Sequence, residues 1–147
     1  MRSAFQILAI PYQIIDGSLF YCVFHRADFN QWQFIAGGGE EGETSLEAAK
    51  RETFEESGAQ SDKWVELKSL SYIPAEVISE KHRKYWRKDT YVIPEYTFGF
   101  ECKDDIKLSR EHTEFVWLNY DEALKKLKWD SNRTALYELN CRLKVRQ

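Results

Sequence analysis

A chain of 147 residues is long enough to bury one respectable core and too short for two ordinary domains, so a single domain over residues 1–147 is expected. A formal net charge of -3 excludes a general nucleic-acid binder, whose affinity comes mostly from a cationic surface facing phosphates, and no stable nucleic-acid partner is expected. The hydrophobic fraction of 43% with 15% aromatic residues fits a folded globule.

The N-terminal stretch reaches Pro11 after only a short apolar run, which resembles neither a signal peptide nor a membrane span. Segments 4–15 and 18–25 alternate apolar and polar residues around Asp16-Gly17, the pattern of a β-hairpin. A short strand over 32–35 then runs into Gly37-Gly38-Gly39, expected to be a loop that turns sharply and approaches a ligand closely. Thr44 with Glu47 three residues later is a capping-box signature, which predicts a helix over 45–57 ended by Gly58.

Strands are expected over 63–78 and 90–101. Between them lies a loop carrying the basic run Lys81, His82, Arg83, Lys84, Arg87 and Lys88. Phe115, Val116 and Trp117 form one more strand. Helices over 121–128 and 132–146 follow, the second with Leu136, Leu139 and Leu143 at i, i+3 and i+7, a stripe suited to packing on a sheet. The order β, helix, β, two helices makes an α+β fold, an α/β/α sandwich with a mixed β-sheet, the economical architecture. Cys22, Cys102 and Cys141 are odd in number and lack metal-ligand spacing, so they read as reduced thiols of a cytoplasmic protein.

Glu52, Glu55 and Glu56 fall at i, i+3 and i+4 of the predicted helix, which puts their carboxylates on one face. Such like-charge neighbours repel by about 0.2–0.5 kcal/mol each, and a divalent cation would turn that repulsion into a coordination site. All-oxygen ligation favours Mg²⁺, with Mn²⁺ as substitute, over zinc. Taken alone such a cluster is more often an ordinary solvated glutamate-rich face than a metal site. Its neighbours separate the two: Arg51 stands beside Glu52, and the glycine segment offers backbone amides to phosphate oxygens through Gly37 and Gly38.

The segment 37–59, GGGEEGETSLEAAKRETFEESGA, resembles the Nudix box. That pattern asks for Gly, five residues, Glu, seven residues, then Arg-Glu-apolar-any-Glu-Glu-any-Gly-apolar. Gly37, Glu43, Arg51, Glu52, Glu55, Glu56 and Gly58 all fall on its spacing, too many fixed residue types for accident. Thr53 stands where an aliphatic residue is usual, Ala59 is a small final apolar residue, and Ile35-Ala36 replaces the frequent Pro-Gly before the box. The resemblance implies a Nudix fold and Mg²⁺-dependent hydrolysis of a nucleoside diphosphate linked to a further group. It implies that Glu52, Glu55 and Glu56 bind the metal and that Arg51 orients one of these carboxylates. Glu43 would brace the loop or assist in the metal shell.

Hydrolysis also needs a general base within hydrogen-bond reach of the attacking water. Glu111 and Glu114 are candidates outside the box, and each has the alternative of a plain surface carboxylate. Glu111 is preferred. Glu111-His112 followed by Phe115 and Trp117-Leu118 is similar to the dATP pyrophosphohydrolase and dihydroneopterin triphosphate pyrophosphatase branch, where this glutamate lies near the metal. The stretch 129–133, with Trp129 and Arg133, and Trp32-Gln33 before the box resemble the same branch. Arg26 and the basic residues Lys81 and Arg83 are candidates for phosphate contact. Trp32, Tyr85, Trp86 and Trp129 are candidates for stacking on a base or pterin, whereas Trp117 suits packing. No histidine is assigned a role.

The expected substrate is a nucleotide-like small molecule, with a homodimer left open. A nucleotide sensor that does not turn its ligand over and an enzyme acting on the 5′ end of RNA are the alternatives.

Overall fold

The computed structural model describes residues 1–146. Asp16 and Gly17 both take positive φ, 51° and 80°, the pairing a two-residue hairpin turn requires. Strand β1 (Arg2–Ile15) therefore folds back on β2 (Ser18–Arg26), with Ile15 opposite Ser18 and Tyr12 opposite Tyr21. Then come β3 (Trp32–Gln33), β4 (Ile35–Glu40), α1 (Ser45–Ser57), β5 (Trp64–Pro74), a 3-10 turn at Ala75–Val77 and the short α2 (Glu80–Arg83). The chain continues through β6 (Val92–Glu101), β7 (His112–Leu118), α3 (Tyr120–Lys126) and α4 (Asp130–Arg146).

The seven strands form one mixed sheet in the order β3-β2-β1-β6-β5, with β4 also on β1 and β7 also on β2. Among the strand pairs of the described residues only β1 and β6 run parallel, Gln6 beside Glu95 through Tyr12 beside Glu101. Helix α1 lies on one face, where Ala48 and Ala49 bury against Ile7 and Phe98. Helix α4 covers the other, and its Leu136, Leu139 and Leu143 sink among Leu8, Ile10 and Tyr12. Each such leucine contributes about 1.5–3 kcal/mol of burial. Gly99 makes room for this contact, since a Cβ there would come within 2.6 Å of Leu139. Tyr21 ties the layers together by donating its hydroxyl to Asn140 Oδ1 at 2.7 Å.

The helix capping agrees with the sequence. Thr44 Oγ1 accepts the Glu47 N–H at 3.1 Å, Glu47 Oε1 accepts the Thr44 N–H at 2.9 Å, and Gly58 closes α1 at φ 73°. Two expectations change. Residues 37–39 are not a turn; they are extended in β4, with Gly37 and Gly38 paired to β1, because their missing Cβ atoms are needed for close packing rather than for unusual φ. The basic run is no simple loop either: its first part is α2, and Trp86 anchors the following turn by donating its indole N–H to the Arg2 carbonyl at 2.8 Å. Cys22, Cys102 and Cys141 are free thiols, the first two buried. Among the described residues no helix is long and apolar enough to cross a membrane.

Candidate active site

Extended backbone at 37–39 points successive positions to opposite sides of β4. A Cβ on Gly37 would overlap the Glu52 carboxylate, one on Gly38 the Arg2 guanidinium, and one on Gly39 the Phe5 ring. Glycine here lets charged side chains lie directly on the strand.

Arg51 is the hub of the α1 carboxylates. Its Nε and Nη2 donate to the two oxygens of Glu43 at 2.7 and 3.0 Å, and Nη2 also donates to the Gly38 carbonyl at 2.8 Å. Nη1 donates to Glu52 Oε1 at 3.0 Å and to Glu55 Oε2 at 3.2 Å. Glu43 in turn accepts the Glu40 N–H at 2.7 Å, and the Arg51 fork holds its carboxyl below the usual range. The segment between β4 and α1 is thereby braced.

Glu56 has the opposite environment. It is 4% exposed, and its Oε2 has no hydrogen-bond partner. Burial pushes its carboxyl well above the usual range, the facing Glu111 carboxyl and Glu52 push it further, and the Ala36 backbone acts against them. Backbone bonds create this encounter: Lys107 N–H donates to the Ser57 carbonyl at 2.8 Å and Ser109 N–H to the Glu56 carbonyl at 3.2 Å, fastening the approach to β7 onto the end of α1. Burial also raises Glu52, opposed by Arg51 and assisted by Glu55 and Glu111. Glu55 and Glu111 are exposed.

Among the described residues no three Asp, Glu, His or Cys side chains already converge as a ready cation cage. The carboxylates are divided, Glu52 and Glu55 drawn to Arg51 while Glu56 faces Glu111. Even so the residues fit a hard divalent cation: the donors are all oxygen, and a buried carboxylate oxygen beside a second carboxyl lacks any other positive partner.

On the α4 side of β4 lies a cleft of about 800 Å³. Gln6, Leu8, Ala36 and Glu95 form its sheet floor, Ile73, Pro74, Val77 and Ile78 one wall, and Trp129, Ser131 and Asn132 another. Asn132 is fixed by accepting the Phe34 N–H at 2.9 Å.

Of the substrate-contact candidates, Arg26 and Trp129 line this cleft. Arg26 gives both arms of its fork to Asp28, at 2.8 and 2.7 Å, and lies 5.1 Å from the Phe29 ring centre. Trp32 packs between His25 and Lys126, whose Nζ sits 4.5 Å from its ring centre, outside the lining. Arg83 donates to the Ile78 carbonyl at 2.6 Å, and Arg133 to the Leu124 carbonyl, also at 2.6 Å. Lys81 is exposed on α2, and Glu114 is exposed on β7. The sequence reading did not single out Glu95, Gln31 or Arg2. Glu95 had a signal, a lone acid between Ile93 and Thr97 at the inward spacing of a strand. Arg2 lies against Gly38, donates to Gln6 at 2.5 Å and faces the charge of Glu52.

The model of the NUDIX domain matches residues 14–139. The chain is 34% identical over 120 residues to an RNA pyrophosphohydrolase of Caulobacter vibrioides, covering 74% of this chain and 67% of that protein. It is 31% identical over 116 residues to an asymmetrical bis(5′-nucleosyl)-tetraphosphatase of Sus scrofa, covering 74% and 69%. Among solved structures, a protein of Listeria monocytogenes assigned to the NUDIX hydrolases superposes with a TM-score of 0.86 at 42% identity, over 98% of this chain and 97% of that one. The dihydroneopterin triphosphate pyrophosphohydrolase of E. coli shares the fold, with a TM-score of 0.70 at 23% identity over 95% and 97%.

Proposed function

Because this chain belongs to the NUDIX family and is a pyrophosphohydrolase of nucleotide-like substrates, we propose that it cleaves a (d)NTP such as dATP, or dihydroneopterin triphosphate, and releases pyrophosphate. The observation that carries this reading is the buried, unpartnered Glu56 Oε2 facing Glu111 beside a cleft large enough for a nucleoside.

Glu52, Glu55 and Glu56, with Glu111, would hold Mg²⁺ or Mn²⁺, which when bound supplies neutralisation of the phosphate charge and acidification of a water. Arg51 keeps Glu52 and Glu55 aimed together and locks Glu43 against Gly38. Glu111, solvent-open next to Glu56, is the preferred acceptor for the proton of the attacking water. Gly37 and Gly38 let the Glu52 carboxylate and the Arg2 guanidinium lie against the backbone of β4, where a polyphosphate would meet them. The cleft takes the base, with Trp129 positioned to stack on it.

The experiment is phosphate and pyrophosphate release with and without Mg²⁺. The panel holds dNTPs, NTPs, dihydroneopterin triphosphate, dinucleoside polyphosphates and triphosphorylated RNA. Mg²⁺-dependent pyrophosphate release from a small triphosphate is expected, and Glu55→Gln should remain folded while losing most of that turnover. Unchanged turnover in the variant sinks the carboxylate site. Activity on dinucleoside polyphosphates alone discards the substrate assignment, and silence across the panel leaves a nucleotide sensor.

A second reading, action on the 5′ end of RNA, is favoured by the likeness to the Caulobacter enzyme. The net charge of -3 opposes it. An RNA activity that falls steeply with added salt would support it.

A further inference from the structure

Strand alternation puts Ile93, Glu95 and Thr97 of β6 on one face, and the register sets Glu95 between Gln6 of β1 and Ser71 of β5. Its carboxyl therefore stands in the middle of the sheet floor of the cleft, not at a rim. Glu95 is 6% exposed, and its Oε1 has no hydrogen-bond partner. Burial pushes the carboxyl up to about 7, opposed by a hydrogen bond from Ser131 at the start of α4. Gln31 Oε1, in the lining of the same cleft, is likewise buried and without a partner. Nothing in the folding of the sheet requires an acid at this position, and an unsatisfied buried acceptor opposes folding.

The surroundings suit a flat heteroaromatic ring. Leu8, Ile73 and Val77 are apolar, and the Phe29 and Trp129 rings stand half-exposed at the same cleft. Both unpartnered atoms are acceptors, so a ring that satisfies them must bring N–H donors. Adenine presents its amino group beside a ring nitrogen that is itself an acceptor, and that nitrogen opposes the ionised carboxylate, the form Glu95 takes above about pH 7. A 2-amino-4-oxopyrimidine edge presents a ring N–H beside an exocyclic amino group, two adjacent donors that match two carboxylate oxygens. Guanine and pterins share this edge.

We infer that Glu95 is a specificity-determining residue that reads the 2-amino-4-oxopyrimidine edge of a guanine nucleotide or a pterin triphosphate. The inference rests on the hydrolytic reading above, and it narrows that reading by setting adenine below guanine and pterin wherever Glu95 is ionised. Gln at this position keeps one acceptor oxygen but turns an amide N–H₂ toward the ligand's donors.

The test compares kcat/KM at pH 8, where Glu95 is ionised, for GTP, ITP, ATP and dihydroneopterin triphosphate in the wild-type chain and in Glu95→Gln. ITP lacks only the 2-amino group of GTP. The wild type should prefer GTP over ITP and ATP by about 10- to 100-fold. In Glu95→Gln that preference should shrink to within about threefold, mainly through KM, since Glu95 contacts the base and not the reacting phosphates. Comparing GTP with the pterin triphosphate tells which compound supplies the edge. Equal use of GTP and ITP by the wild type, or a preference that survives the substitution, overturns the inference. If Glu95→Gln does not fold, the wild-type comparison of GTP with ITP decides alone. If none of the triphosphates is hydrolysed the hydrolytic reading fails, and calorimetric binding of GTP against ITP still decides on Glu95.

Discussion

Glu95→Gln should also make the protein more stable, and by an amount that depends on pH. The carboxyl ordinarily titrates at 4.5, and burial pushes it up to about 7 in the folded chain. Between those two values the folded chain retains a proton that the unfolded chain has released. Stability therefore falls as pH rises from about 4.5 to about 7, and the loss is complete above the folded value. A displacement of this size corresponds to about 3 kcal/mol. Water in the open cleft relieves part of it, so about 1–3 kcal/mol is expected at pH 8. Gln is neutral throughout and can still accept the Ser131 hydrogen bond. Urea unfolding followed by tryptophan fluorescence at pH 5 and pH 8 would measure the difference. The variant should gain little at pH 5 and about 1–3 kcal/mol at pH 8, or about 2–4 °C in Tm per kcal/mol. Equal stability of the two chains at pH 8, or a less stable variant, would refute the claim that an ionised carboxyl is uncompensated there.

Gly37→Ala puts a methyl group into the Glu52 carboxylate; turnover should fall about 10- to 100-fold while circular dichroism still reports a folded chain, and full activity would show that Glu52 can move aside freely. Arg51→Lys replaces a fork by a single ammonium that cannot serve Glu43, the Gly38 carbonyl, Glu52 and Glu55 together. It should lose about 1–2 kcal/mol in urea unfolding and most turnover, and a neutral result would remove Arg51 as the organiser of the site. Trp129→Ala should raise KM about tenfold with kcat little changed in steady-state kinetics, whereas a fall confined to kcat would deny it a stacking role.

What was legible in the sequence was local. The hairpin follows from Asp16-Gly17, α1 from the Thr44–Glu47 box and Gly58, and the seating of α4 from a leucine spacing that only a helix brings to one side. What stayed hidden depended on contacts distant in the chain. The glycines at 37–39 look like a turn until Arg2, Phe5 and Glu52 arrive against them from other elements. Arg133 looks free for a phosphate until it meets the Leu124 carbonyl. Arg26 could have been read better, because Asp28 is only two residues away and takes its whole fork. Glu95 was concealed differently. Acids are common in strands that show one face to solvent, and only the placement of α4 over this face turns an ordinary alternation into a buried acid.

That placement also gives the two faces of one short strand different parts in the proposed site. Along β4, Ala36 faces the cleft and Gly37 faces Glu52 on α1, although their Cα atoms are only about 3.8 Å apart. The Ala36 backbone supports the charged form of Glu56, so the strand separating the cleft from the carboxylates also touches both. A ligand spanning a ring and a polyphosphate needs its two ends held at a fixed separation, and a paired strand is stiffer than a loop. The extended state of residues 37–39 is therefore more useful to such a ligand than the expected turn would have been. A flexible glycine turn could have wrapped a phosphate, but it could not have held the cleft face and the carboxylate face in register.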